Sequence, residues 1–269
     1  MTDMITDHVK LPGGVTAVLE RPGARLVYQV SGAGPAVVLI HGFGLDMRMW
    51  DPQIAPLAAR FRVVRYDCRG FGASGPFDPG VPYTHAGDLV ALLDHLGIGD
   101  AVLAGLSFGG RVALQAALAA PDRVRGLALL DAVLDGVPWD PESARALDEV
   151  ARQVQAGGVR AGRAAWLAHP LFAAARERPD LAAALAAMVA GYPGQHWLGQ
   201  DPHRDTRRPI DVLEASPYRS SSPWESGTCP ASARCPPCWP GASPVPPTAS
   251  SRTPATWSPW SSRPPSTTC

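Results

Sequence analysis

The sequence predicts an α/β fold: a mostly parallel, doubly wound sheet with a helical cap over its strand ends. Three observations carry this. Short, continuous apolar runs (Ala36 to Ile40, Arg62 to Tyr66, Ala101 to Leu106) alternate with stretches of helical period, the pattern of strands covered on both faces. Residues with chemistry, His41, Asp67 and Ser107, follow those runs directly, where a parallel sheet gathers its reactive groups. From about Pro138 to Gln200 the strand pattern stops and alanine and leucine recur at helical spacing. A chain of 269 residues is long enough for one large α/β domain with such an insertion.

Taken in order, Val15 to Glu20 and Arg25 to Val30 alternate as two strands around a turn at Pro22-Gly23. The run Ala36 to Ile40 is a buried strand that leads into His41-Gly42-Phe43-Gly44. A helix from about Trp50 to Ala59 follows, with Ile54, Leu57 and Ala58 on one face. The strand Arg62 to Tyr66 opens into Asp67 to Gly75, where Asp67 and Arg69 are expected to brace the loop together. Thr84 to Leu96 forms a helix with Leu89, Leu92, Leu93 and Leu96 in one stripe. A final strand runs from Arg125 to Leu130 and ends at Asp131. Alternating strands and helices imply right-handed crossovers between parallel neighbours.

Composition excludes several partners. The formal net charge is zero, so neither nucleic acid nor an anionic membrane surface is expected. No apolar run reaches transmembrane length, and the first fourteen residues lack the apolar core of a signal peptide. Cys68 stands alone in the first 228 residues; the other four cysteines lie in the tail. The body is therefore expected to be a reduced, cytoplasmic protein without disulfides. No cofactor is expected, and nothing in the sequence sets an oligomeric state.

The most informative stretch is Ala101 to Leu118. A buried strand is followed at once by Gly105-Leu106-Ser107-Phe108-Gly109, then by Val112, Ala113, Ala116 and Ala117 at helical spacing. A bare G-x-S-x-G is more often an ordinary turn. Strand before and helix after turn it into a nucleophile elbow, with Ser107 at the tip of a strained turn. Glycine is needed on either side because a Cβ there would meet neighbouring backbone.

With HGFG at 41–44, DCRGFGAS at 67–74, GLSFGG at 105–110 and the cap that follows, the chain resembles the α/β-hydrolase superfamily over roughly Gly13 to Glu214. Among its branches it is most similar to the bacterial group of 3-oxoadipate enol-lactonases, esterases and cofactor-free perhydrolases. The resemblance implies that Ser107 is the nucleophile and that the backbone N–H groups of Phe43 and Phe108 form the oxyanion hole. It also implies an acid and a histidine later in the chain. His41 is expected to support the oxyanion loop rather than to act as a base. Asp131 is either the triad acid, at a position some members use, or a loop-capping aspartate. The dehalogenase and epoxide hydrolase branches carry an aspartate where Ser107 stands, which weighs against those activities. Trp139, Trp166 and Phe172 in the cap are expected to line an apolar substrate pocket, with core packing as the competing role.

After Ala215 the chain changes character. Residues 216–269 hold thirteen prolines and thirteen serines in 54 positions, with one valine and no leucine, isoleucine, histidine, aspartate or lysine. Such a stretch cannot supply a central strand, and it is expected to be disordered. Three explanations stand: a native Ser/Pro-rich tail, a metal or disulfide site through Cys229, Cys235, Cys238 and Cys269, or a shifted reading frame. The last is favoured. GC-rich codons regrouped by one base read, over Pro217 to Pro230, as Val-Pro-Val-Leu-Val-Thr-Val-Gly-Glu-Arg-Asp-Leu-Pro. Around Pro254 to Arg263 they read as Ala-Gly-His-Met-Val-Thr-Met-Glu-Gln-Pro. Together these supply the missing strand with its acid and the missing histidine loop.

The expected organisation is a hydrolase core at 1–137, a cap at 138–200, a return to the core at 201–215 and the tail at 216–269. The expected function is hydrolysis of a small carboxylic ester or lactone through an acyl-enzyme on Ser107, impaired in this chain by the missing acid and histidine. The alternative is a non-catalytic binding protein that holds an apolar small molecule.

Overall fold

A computed structural model describes residues 9–11, 14–134, 137–199 and 201–204. The expected tail, the return to the core beyond Arg204 and the four tail cysteines lie outside the described residues. The sheet has seven strands in the order β1-β2-β3-β5-β4-β6-β7. They are β1 (Val9–Leu11), β2 (Gly14–Arg21), β3 (Ala24–Ser31), β4 (Ala36–Ile40), β5 (Arg62–Tyr66), β6 (Ala101–Leu106) and β7 (Val124–Leu130). Strands β1, β2, β3 and β5 pair antiparallel in succession, whereas β5, β4, β6 and β7 run parallel.

The three strands with unbroken apolar runs, β4, β5 and β6, have the bounds the sequence predicts. Each is short, flanked by turn residues and covered on both faces, so little but hydrophobic burial decides its length. Helices α1 (Asp51–Ala58), α2 (His85–His95) and α3 (Phe108–Ala119) pack on the sheet. The first begins later than expected. Asp46 caps a short 3-10 turn, Met47–Trp50, and the helix proper starts at Asp51, where Pro52 fits its first turn. Thr84 caps α2 by accepting the Gly87 N–H at 2.8 Å. Leu89, Leu92 and Leu93 are fully buried beneath it, as their spacing implies. Strand β1 was not anticipated, because three residues carry no readable period.

From residue 141 the described chain is helical: α4 (Pro141–Ala168), α5 (Ala173–Arg176) and α6 (Pro179–Gly191), with short 3-10 turns between. Helix α4 is broken at Gly157 and Gly158, whose backbone angles are not helical. Leu45, Val150, Val154, Trp166, Leu185, Met188 and Val189 form a second apolar cluster that joins these helices to the loop after β4. None of the described helices is long and apolar enough to cross a membrane.

The loop after β5 is held differently from the expectation. Asp67 does brace it, accepting the Met47 and Ala73 N–H groups at 2.7 Å each. Its burial pushes its pKa up to about 7. Arg69 is not its partner. The Arg69 guanidinium makes a two-pronged bond to Asp88 on α2, at 2.8 and 2.9 Å, with both side chains 2% exposed. A further bond reaches the Pro22 carbonyl in the β2–β3 turn. Replacing Asp88 by alanine would strand a buried guanidinium, and loss of one partner of such a pair typically costs about 3–5 kcal/mol. Urea unfolding of Asp88→Ala is expected to show that loss; a change under about 1 kcal/mol would mean water already reaches Arg69.

Candidate active site

Ser107 sits between β6 and α3 at φ 53° and ψ −111°, a left-handed conformation that a non-glycine residue adopts only when its surroundings impose it. Those surroundings are close backbone. A Cβ at Gly105 would run into the Gly109 carbonyl, and one at Gly109 into the Ile40 carbonyl, so β6, α3 and β4 meet without room for side chains. The elbow is tied to β7 as well. The Ser107 N–H donates to the Leu130 carbonyl at 2.8 Å, and the Ser107 carbonyl accepts the Val133 N–H at 3.2 Å. Asp131 lies between those two bonds at φ 45°, exposed at the end of β7. Among the described residues no hydrogen bond reaches its carboxylate or the Ser107 hydroxyl.

Phe108 opens α3, and its N–H belongs to the helix end whose amides have no partner within the helix. Phe43 follows β4 in the loop 41–44, which His41 holds in place. His41 is fully buried; its Nε2 accepts the Cys68 N–H at 3.0 Å, so the ring proton sits on Nδ1, which donates to the Gly42 carbonyl at 2.8 Å. Burial depresses the His41 pKa to about 4, which keeps this neutral tautomer in place. The histidine supports the loop.

The Phe43 ring is where core and cap meet. It stands edge-on to Phe71, Phe108, Trp166 and Tyr192, with ring centroids 5.5 to 6.2 Å apart. Of the three cap residues expected to line a pocket, two come together here. Trp166 is 5% exposed and Phe172 stands edge-on to it at 5.2 Å. Trp139 does not join them: it is 40% exposed, just before the start of α4. Cavities of about 520 and 310 Å³ lie on other faces, one beside Arg21, Arg25 and Ser74 and one between α2 and α3. Neither includes Ser107.

Sequence reasoning missed a cluster of histidines at the same junction. The His85 ring meets Phe108 at 5.0 Å and His203 at 4.9 Å. His196 stacks on Phe71 at 4.4 Å, with its Nδ1 2.9 Å from the Tyr192 hydroxyl. Burial drives the His196 pKa down to about 4 and that of His85 well below its ordinary value. These residues lie in different elements and share no spacing, so no sequence signal groups them.

A family profile described as "alpha/beta hydrolase fold" matches residues 35–204. The chain is 37% identical over 99 residues to 3-oxoadipate enol-lactonase 1 of Acinetobacter baylyi, covering 36% of this chain and 37% of that one. It is 40% identical over 118 residues to bifunctional epoxide hydrolase 2 of Sus scrofa, covering 42% and 21%. The chain thus spans about two fifths or less of the length of the curated relatives it matches. Among solved structures, a thermophilic esterase of Thermogutta terrifontis, with malate bound, superposes with a TM-score of 0.56 at 31% identity, over 78% of this chain and 74% of that one.

Proposed function

The chain belongs to the α/β-hydrolase fold family, and from that membership we propose that it is a serine hydrolase of small carboxylic esters or lactones. The observation that carries this is the strained backbone of Ser107 at the β6–α3 elbow. The turn is made from glycines that only close backbone approach requires, and a strained turn of this kind presents a nucleophile. Ser107 Oγ would attack the carbonyl carbon of the substrate and form an acyl-enzyme, releasing the alcohol. The Phe43 and Phe108 N–H groups would hold the oxyanion; losing one such donor typically costs about 3–4 kcal/mol. Asp131 is kept as the candidate acid, since the β7 end wraps over the elbow. Trp166 and Phe172 are the candidate walls of the acyl pocket. Enol-lactonase and esterase relatives support ester or lactone chemistry, and the serine at the elbow sets the chain apart from the epoxide hydrolase branch as the resemblance describes it.

The domain limits and the shifted reading frame after Ala215 are part of the same proposal. On that reading the polypeptide as sequenced lacks the base that activates Ser107 and turns over slowly. A binding-only protein is the second reading, supported by the absence of any described side chain hydrogen-bonded to the Ser107 hydroxyl. A fluorophosphonate probe separates the two. Covalent labelling that Ser107→Ala abolishes is expected for the hydrolase. A chain left unlabelled at probe concentrations that modify known serine esterases, yet still binding apolar ligands, would favour the binding protein.

A further inference from the structure

Trp166 carries an unmet hydrogen-bond donor. Its indole N–H is buried and has no acceptor, although a buried polar group normally finds one. The indole presents this edge to the loop after β4. A Cβ built on Gly44 would lie 2.5 Å from Nε1, closer than to Cδ1 at 3.0 Å or Cε2 at 3.4 Å. With a Cα–Cβ bond of about 1.5 Å, Nε1 is within about 4 Å of the Gly44 Cα, one residue along from the Phe43 N–H. Phe43 stands edge-on to the indole on one side and Phe172 on the other.

We propose that Trp166 Nε1–H receives a second oxygen of the substrate, placed a few bonds from the carbonyl that Phe43 and Phe108 would hold. This rests on the oxyanion reading above and narrows its substrate class. The oxygen is a neutral one, an ether or carbonyl. The cluster around Trp166 consists of Leu45, Val150, Val154, Leu185, Met188 and Val189, all apolar. A carboxylate there would lose its hydration with no cation to offset it, whereas a neutral oxygen needs one donor, and one is present. The favoured substrates are therefore oxo- or alkoxy-substituted esters and lactones rather than plain alkyl esters. Trp166 is a specificity residue on this account, and the proposal needs no proton transfer or covalent step at the indole.

Two ketones that the enzyme cannot hydrolyse test this. 4-Methoxy-2-butanone and 2-hexanone differ only by oxygen in place of one methylene. Their dissociation constants, measured by ligand-observed NMR, are expected to favour the methoxy compound by about 3- to 10-fold, the worth of one neutral hydrogen bond. Trp166→Phe keeps an aromatic ring and removes the N–H; it is expected to bring the two constants within twofold of each other while leaving hexanone binding unchanged. Levulinate, with a carboxylate at the same distance, is expected to bind more weakly than the methoxy ketone. No preference in the unmodified protein, a preference that survives Trp166→Phe, or tighter levulinate binding would each overturn the assignment. If Trp166→Phe weakens both ketones alike, the indole acts through packing and the assignment fails as well. Fluorophosphonate labelling of the same samples reports on the Ser107 elbow independently, so a failed subsite and a failed hydrolase reading give different results.

Discussion

Hydrolysis of p-nitrophenyl acetate by the polypeptide as sequenced is expected to be about 10⁴-fold or more slower than by a version whose reading frame is restored after Ala215. A serine hydroxyl becomes a competent nucleophile only when a base removes its proton. The described histidines are committed elsewhere. His41 spans Cys68 and Gly42, His95 meets the Tyr28 hydroxyl at 2.9 Å, and His169 accepts the Leu171 N–H. His85, His196 and His203 contact one another and the rings of Phe71, Tyr83 and Phe108. No histidine follows His203 in the sequence. The residual rate is that of an oxyanion hole without a base. Sequencing the coding DNA across codons 205–269 comes first, and the assay on both polypeptides second. Rates within a hundredfold of each other, with the slower still abolished by Ser107→Ala, would show that another residue serves as base.

Stability is expected to fall steeply as the pH drops from about 6.5 to 4. His41 and His196 both have folded pKa values of about 4, below the unfolded value of 6.5, and His85 is shifted the same way. In each case burial is the largest cause. The unfolded chain therefore takes up protons in this window that the folded chain refuses, and acid favours unfolding. Asp67 works in the opposite sense. Its folded value of about 7 lies above the unfolded 3.8, so its contribution declines as pH rises between those limits. Three histidines against one aspartate leave a net uptake of about two protons, or roughly 2.7 kcal/mol per pH unit at the steepest point. That is comparable over two units with the whole stability of a typical domain. Urea midpoints measured at pH 7, 6 and 5 check it. His41→Gln, which retains an acceptor for the Cys68 N–H but does not titrate, is expected to make the slope shallower. Midpoints that do not move between pH 7 and 5 would show that the three rings are hydrated in the folded state.

The β7 edge adds a consequence for handling the protein. Leu127, Leu129 and Leu130 are each about 40% exposed, and among the described residues β7 pairs only with β6. An apolar strand with an unpaired edge recruits other chains.

The sequence by itself determined the parts that depend on neighbours in the chain. The apolar runs of β4, β5 and β6 set those strands, because burial on both faces needs an unbroken run of a few residues. The Gly-x-Ser-x-Gly spacing set the elbow, because backbone meets backbone there and no other residue fits. Thr84 marked the start of α2 through a bond to a residue three positions away. Tertiary structure decided what depends on distant partners. Arg69 turns to Asp88, nineteen positions on, and not to Asp67, two positions back, because α2 delivers a carboxylate into a buried site that the Asp67 carboxylate, already engaged by two backbone amides, does not share. Trp166 comes to lie against Gly44 while Trp139 remains at the surface, although both are tryptophans of the same helical stretch. His85, His196 and His203 meet only because the end of the helical segment folds back onto the loop before α2. Local pattern specifies an element through short-range burial and hydrogen bonding; which side chains meet is set by how the crossovers place those elements, and that placement is carried by the whole sheet.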